Sequence, residues 1–367
     1  MGRDAIGVGF LGYGWISRAH AHALHTLNHV APLAKEIRLV SIAGRRDEPL
    51  RGAAHELGFE RFTTSVEELL DDPEVHVVAN LTAVAGHAES TIAALARGKP
   101  VLCEKPLGAT AEEARAMLEA AVSAGVTNAT GFNYRYVPAV ALAKELLEAG
   151  RLGELRHYRA LYLQDYQTAG GQPRSSGGAG AVLDYSHLVD MLRFLVGEPA
   201  TVTATTSRIV SDVDDAFVAV LELADGLVAA LEASRVATGW KGHHRFELNG
   251  SDGSVWWDME DPNRLHVFFV ADERQALGGF RDVLVTQPEH PFLGEWWPPG
   301  HVLGWEHSFV HQWRDFLEAA LEGRPVPQRQ ASFEDGYRAA VLCEAIHASA
   351  REGRRVETTA SRAAIQA

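Results

Sequence analysis

The stretch Val8-Gly9-Phe10-Leu11-Gly12-Tyr13-Gly14-Trp15-Ile16-Ser17 decides how the 367-residue chain is read. A short apolar run, Ile6 to Leu11, reads as a buried strand. It ends in Gly12-x-Gly14, and an Ala/His/Leu-rich helical segment follows from Ile16 to about Leu27. Strand, glycine turn and helix together are the context that makes a G-x-G pattern a dinucleotide site. Gly12 makes the tight turn, and Gly14 lets a pyrophosphate approach the backbone. Tyr13, Trp15 and Ile16 stand where the free N–H groups of the helix start meet phosphate. The third fingerprint position is Ser17, a residue small enough for close helix–strand packing.

The next strand, Arg38 to Ala43, ends in Gly44-Arg45-Arg46. In dinucleotide sites this strand end often carries an acid for the ribose 2′-hydroxyl. Here Asp47 arrives three residues after Gly44. A glycine followed by two arginines suits a 2′-phosphate, because guanidinium pairs with phosphate in a fork. NADP is therefore the expected cofactor, with NAD as the other possibility. Ser65-x-x-Glu68 and Thr110-x-x-Glu113 have the form of capping boxes. Val75 to Leu81, Val101 to Cys103 and Gly125 to Thr130 read as further strands. Strands alternating with helices over residues 1–130 predict an α/β Rossmann domain with a doubly wound parallel sheet.

From Leu155 the period changes to long strands: Arg156 to Leu163, Ala200 to Val210, Ala216 to Leu223 and Gly226 to Ser234. Ala224-Asp225-Gly226 and Asn249 to Gly253 read as hairpin turns. Residues 131–358 are expected to form an α+β domain with a large, mostly antiparallel sheet. The tail, 359–367, is expected to fray. Gly170 to Gly180 is too long for a hairpin and is read as a mobile substrate loop. A helix is expected to begin near Asp184 and run to about Val196.

Net charge is −14 with no long basic cluster, which argues against nucleic acid and anionic membrane as partners. No apolar run reaches the roughly 18 residues of a membrane span. Met1 to Asp4 lead directly into the first strand, so no signal peptide is expected. Cys103 and Cys343 lie far apart and suggest two buried thiols in a cytoplasmic protein.

Lys105 ends a predicted parallel strand, immediately before Pro106. Ligands of open α/β sheets bind beyond the carboxyl ends of the strands, where a lysine can hold an alkoxide or carbonyl oxygen. His187 can accept a hydroxyl proton, and Asp184, three residues earlier, would share its helix face and orient it. Asp190 follows three residues later, but no fourth ligand is spaced for a metal, and none is expected. His20, His22, His25 and the pair His243-His244 have no partner pattern. Trp296-Trp297-Pro298-Pro299 is a rigid aromatic segment suited to stacking on a sugar ring or to an oligomer contact.

With these residues in view, the chain resembles the Gfo/Idh/MocA oxidoreductase family, the relatives of glucose-fructose oxidoreductase and inositol dehydrogenase. The matching pieces stand in family order: Gly9 to His20, Thr82 to His87, Cys103-Glu104-Lys105-Pro106, Gly131-Phe132-Asn133-Tyr134-Arg135, Asp184 to Asp190, and Phe333 to Tyr337. The resemblance implies a C-terminal sheet whose open face forms contacts in a homodimer or homotetramer. It implies cofactor contacts at Thr82, His87, Glu104, Lys105 and Asn133. It implies Lys105 beside the nicotinamide, His187 as proton acceptor, and a sugar or cyclitol hydroxyl as substrate. Tyr134, Arg135 and the Tyr162 to Tyr166 segment resemble pocket-lining pieces of sugar-oxidising members, with Tyr166, Asp184, His187 and Lys105 as substrate contacts. Three departures stand out. Many members place Asp and His four apart, and that column holds Leu183 here. The frequent Thr-Pro-Asn is Thr82-Ala83-Val84. The acid after the second strand is missing. A non-catalytic sugar or nucleotide sensor, and an enzyme that oxidises sugar transiently with tightly held cofactor, are the alternatives on the same fold.

Overall fold

The computed structural model describes residues 4–168, 179–273, 278–294 and 296–358. The loop expected at Gly170 to Gly180, save its last two residues, and the tail 359–367 lie outside them. The chain divides into two compact units, Met1–Tyr136 with Gly304–Tyr337 and Val137–Leu303 with Arg338–Ala367.

The first unit alternates strand and helix: β1 (Ala5–Leu11), α1 (Trp15–Val30), β2 (Glu36–Ala43), α2 (Asp47–Leu57), β3 (Arg61–Thr63), α3 (Val66–Asp71), β4 (Val77–Asn80), α4 (His87–Ala96), β5 (Val101–Cys103), α5 (Ala111–Ala124) and β6 (Asn128–Thr130). The strands lie in the order β3-β2-β1-β4-β5-β6, all parallel. β4 and β5 are buried along their whole length, as a parallel sheet covered by helices on both faces requires. Both capping boxes form: the Ser65 hydroxyl accepts from the Glu68 N–H and the Thr110 hydroxyl from the Glu113 N–H, each at 3.1 Å.

The second unit holds α6 (Pro138–Glu148), β7 (Leu155–Leu163), α7 (Ala181–Asp184), α8 (Ser186–Leu195), β8 (Pro199–Ser207), β9 (Ala216–Leu223), β10 (Val228–Ser234), β11 (His243–Gly250), β12 (Gly253–Asp258), β13 (Arg264–Phe269) and β14 (Arg281–Leu284). The chain continues through α9 (His307–Glu322) and α10 (Phe333–Glu352) to β15 (Val356–Glu357). The nine-stranded sheet runs β14-β13-β12-β11-β7-β10-β9-β8-β15 and is antiparallel except where β10 lies parallel to β7. Burial alternates along β9, β11 and β12, so one face is core and the other open. Phe246 and Trp257 fill the core face, while Val218 and Val220 stand on the open one.

Three expectations change. The single helix expected from Asp184 is two helices, interrupted at Tyr185, whose ψ of 29° ends α7 before α8 begins. The strand expected to reach Val210 ends at Ser207, because the N–H groups of Ile209, Val210 and Ser211 turn to the Asp215 carboxylate. Residues 304–337, expected with the second domain, belong to the first unit. The Thr130 N–H donates to the Ala331 carbonyl at 2.8 Å, and the Trp313 indole donates to His20. Cys103 and Cys343 are buried free thiols, and burial pushes the Cys343 thiol up to about 12. Among the described residues, no helix is long and apolar enough to cross a membrane.

Candidate active site

Because β1 to β6 are parallel, the turns that leave their carboxyl ends gather along one edge of the sheet. Strand order reverses between β1 and β4, the place where open α/β sheets take ligands. Gly12, Gly44, Thr82 and Lys105 follow β1, β2, β4 and β5 on this edge. Gly12 has φ +100°, and a Cβ there would come within 2.6 Å of the Leu81 carbonyl oxygen. Gly14 caps α1, and a Cβ there would meet nothing within 4 Å. α1 has no side-chain cap and no acid in its first turn, so the N–H groups of Trp15 and Ile16 open onto this edge. Trp15 is 72% exposed and stacks on Trp305. These residues fit a pyrophosphate.

Tyr13 joins the glycine turn to the end of β2. Its ring lies so close over Gly44 that a Cβ there would approach it to 2.3 Å. The Arg46 Nε donates to the Tyr13 hydroxyl at 3.4 Å, and Arg45 and Arg46 are exposed. Asp47 opens α2 and pairs with Arg51 at 2.8 Å.

The loop after β4 is tied down by Asn80. Its amide donates to the His87 carbonyl, the Ser90 hydroxyl and the Thr91 hydroxyl, and its oxygen accepts from the Thr82 hydroxyl at 2.8 Å. His87 is 1% exposed. Its Nδ1 faces the Pro106 carbonyl at 2.9 Å and its Nε2 the Thr82 carbonyl at 3.1 Å. Burial lowers its pKa, and a neutral imidazole donates to one of the two. Expected as a cofactor contact, His87 is buried here with both ring nitrogens against protein carbonyls, and it bridges the β4 loop to the turn after Lys105.

The Lys105 turn has support that the sequence did not reveal. The Trp313 indole N–H donates to His20 Nδ1 at 2.9 Å, which places the His20 proton on Nε2. That Nε2–H meets Glu104 Oε1 at 3.0 Å, and Glu104 Oε2 accepts the Lys105 backbone N–H at 3.1 Å. His20 is fully buried, with its ring edge against Phe309. A Cβ at Gly131 would press on Glu104 Oε1 at 2.9 Å. The Lys105–Pro106 peptide is cis, and Lys105 itself is half-buried.

Glu104→Gln tests this relay. A glutamine offers one acceptor oxygen to two fixed donors and turns its amide hydrogens on the other. Leaving one buried donor unmatched costs about 1–3 kcal/mol. The free energy of unfolding is expected to fall by that amount, read as a lower denaturation midpoint at unchanged m-value; an unchanged midpoint would remove the relay from the account.

Asn133 gives an amide N–H to the Ser308 hydroxyl at 2.8 Å. Tyr134 and Arg135 are buried, and Arg135 meets Asp335 at 3.3 Å.

In the second unit His187 lies in the first turn of α8 and is 8% exposed; Asp190 on the same helix is 2% exposed. The break at Tyr185 removes the shared helix face expected for Asp184 and His187. Asp184 instead accepts the Tyr166 hydroxyl. Burial and the neighbouring Asp184 charge raise the Tyr166 pKa, so the phenol keeps its proton. Arg235, fully buried, donates to the Ala179 carbonyl, the Ser211 hydroxyl and Asp215. Burial would raise the Asp215 carboxyl, but the Val210 N–H, the Ser211 hydroxyl and the Ile209 N–H outweigh it and hold it well below its usual range. The Tyr185 hydroxyl donates to the Ser234 carbonyl, and Tyr162 stacks on His244 at 4.7 Å. Burial lowers His244 to about 3, so its ring is a neutral packing element. Sequence singled out His187, Asp184 and Tyr166 as candidates and missed that Asp184 and Tyr166 are partners.

Comparison with known proteins agrees with this architecture. Levoglucosan dehydrogenase of Pseudarthrobacter phenanthrenivorans is 35% identical over 94% of this chain and 96% of its own length. The crystal structure of an oxidoreductase domain protein from Kribbella flavida superposes with TM-score 0.90 at 37% identity, covering 97% of this chain and 100% of that one. Levoglucosan dehydrogenase in complex with NADH and levoglucosan superposes with TM-score 0.90 at 34% identity, with the same coverage of 97% and 100%. Residues 6–132 match an oxidoreductase family with an NAD-binding Rossmann fold and residues 140–256 match the GFO/IDH/MocA C-terminal domain, so the chain is a member of the Gfo/Idh/MocA oxidoreductase family.

Proposed function

We propose that the protein moves a hydride between a nicotinamide cofactor and a hydroxyl or ketone carbon of a sugar or cyclitol. The observation that supports this most directly is the edge of the parallel sheet, where the open Gly14 turn and Lys105 follow strands of one sheet. The named relatives add the substrate class, since they include levoglucosan dehydrogenase and inositol dehydrogenases. A bound nicotinamide supplies the hydride acceptor or donor. In the oxidative direction His187 takes the hydroxyl proton, and Lys105 stabilises the oxygen as negative charge develops. Tyr166, held as a neutral phenol by Asp184, offers a fixed hydrogen-bonding group to the substrate.

The proposal is tested by reduced-nicotinamide formation with a panel of pyranoses, anhydrosugars and cyclitols. Saturable turnover supports a dehydrogenase; cofactor binding without turnover by any panel member favours the sensor, and cofactor that survives purification favours transient oxidation.

The end of β2 carries the cofactor preference. No acid stands beside Gly44, and Arg45 and Arg46 are exposed there, so NADP is the proposed cofactor, although the related levoglucosan dehydrogenase was solved with NADH. Charge-assisted hydrogen bonds contribute about 1.5–3 kcal/mol. Arg45→Ala with Arg46→Ala is therefore expected to lower kcat/KM for NADP by at least about 10-fold and to leave NAD within a few-fold. An equal loss with both cofactors would show that the arginines do not read the 2′-phosphate. The open face of the nine-stranded sheet is the proposed contact surface of a homo-oligomer.

A further inference from the structure

His243 opens β11, and Asp258 closes β12, its antiparallel neighbour. Asp258 Oδ2 and Glu260 Oε2 each lie 3.3 Å from His243 Nδ1. All three atoms fall within 4.8 Å of one another. The His243 Nδ1 atom is sealed from solvent and makes no hydrogen bond, although two carboxylate oxygens stand near it. A charge-assisted N–H···O bond would close to about 2.7–2.9 Å with the hydrogen on the line of centres. Instead the nitrogen stands 3.3 Å from each of the two oxygens.

The two nitrogen–oxygen separations match edges of a tetrahedral metal coordination shell. With bonds of roughly 2.0–2.1 Å to nitrogen and oxygen, neighbouring ligands of a tetrahedral ion lie about 3.3–3.4 Å apart. We propose that His243, Asp258 and Glu260 bind one divalent cation of the zinc or manganese kind, with water completing the shell.

The surroundings of each ligand suit this role. Asp258 Oδ1 accepts the Glu260 N–H at 2.9 Å, which turns Oδ2 toward His243. The Trp240 indole stacks on the His243 ring with centroids 4.0 Å apart, fixing the ring plane. The side chains of His243 and Asp258 are 13% and 18% exposed, while Glu260 is 49% exposed and marks the side from which an ion enters. One imidazole nitrogen and two carboxylate oxygens form a borderline-hard donor set, which excludes soft ions such as Cu(I). Binding places the imidazole proton on Nε2 and leaves Nδ1 as the ligand. The ion would fasten the start of β11 to the turn that leaves β12. None of the three residues belongs to the proposed catalytic or cofactor-binding set, so the site is independent of that reading.

The experiment uses the full chain, stripped with chelator and dialysed. Zn2+, and separately Mn2+, is titrated into wild type, His243→Gln and Asp258→Asn by calorimetry, with bound metal counted after gel filtration. The expected result is one tightly held equivalent in wild type. Altering groups that only orient a metal ligand weakens binding 10–100-fold, and removing a ligand is expected to cost at least about 100-fold. Far-ultraviolet circular dichroism and a cooperative thermal transition like that of wild type confirm that the variants are folded. Absence of saturable binding in wild type, or equal binding in wild type and His243→Gln, overturns the site.

Discussion

Lys105→Ala is expected to lower kcat by roughly 10²–10³-fold while cofactor affinity changes only a few-fold. The magnitude is that of removing one preorganised donor from a developing oxyanion, about 2.7–4 kcal/mol. The reason to expect a loss in kcat rather than in binding lies in how the residue is held. The Lys105 backbone N–H is fixed by Glu104, and Glu104 by His20 and Trp313. Those contacts use the backbone and not the ammonium, so truncating the side chain keeps them. In the proposed reaction the charge would act on the oxygen that becomes negative as hydride leaves, and little in the ground state. Steady-state kinetics together with cofactor titration check this. Lys105→Arg keeps a positive charge but replaces a compact ammonium with a planar fork, and it is expected to recover only part of the rate. Equal kcat for wild type and Lys105→Ala would remove Lys105 from the chemistry and leave it a surface residue of the β5 turn.

The parts of the fold that were legible in sequence are those set by neighbours in the chain. β1, the glycine turn and α1 followed from one apolar run and two glycines. Both capping boxes were visible as Ser65/Glu68 and Thr110/Glu113, because a cap is a contact between residues three apart. What could not be read depends on distant partners. His20 meets Glu104 and Trp313, which lie 84 and 293 residues away in the chain, and no periodicity records such a triad. The missed signal was modest: three histidines at positions 20, 22 and 25 cannot all sit on the same helix face, and of these only His20 is buried. The same holds for His243, whose neighbouring carboxylates come from the other strand of its hairpin and the turn that leaves it. The break at Tyr185 has no glycine or proline to announce it, so Asp184 and His187 looked like helix neighbours.

That break governs the second large effect, at His187. Replacing His187 with Gln keeps polarity and approximate volume but removes the proposed acid/base group. General acid–base catalysis contributes roughly 10²–10⁴-fold, and kcat is expected to fall within that range. Asp184→Asn gives a contrasting expectation. Had Asp184 lain on one helix face with His187, its loss would have approached that of the histidine. Its carboxylate is bonded to the Tyr166 hydroxyl, so the variant is expected to act through Tyr166, raising the KM for sugar more than it lowers kcat. A kcat loss for Asp184→Asn equal to that of His187→Gln would instead mean that the carboxylate orients the imidazole directly. The double variant Lys105→Ala/His187→Gln decides whether the two groups serve one oxygen. Independent groups would multiply their losses. Groups acting on the same oxygen in one transition state lose much less together, since removing either already forfeits most of what the pair supplies. A double-variant kcat well above the product of the two single-variant effects is the expected outcome, and strict multiplication would assign Lys105 and His187 to separate steps.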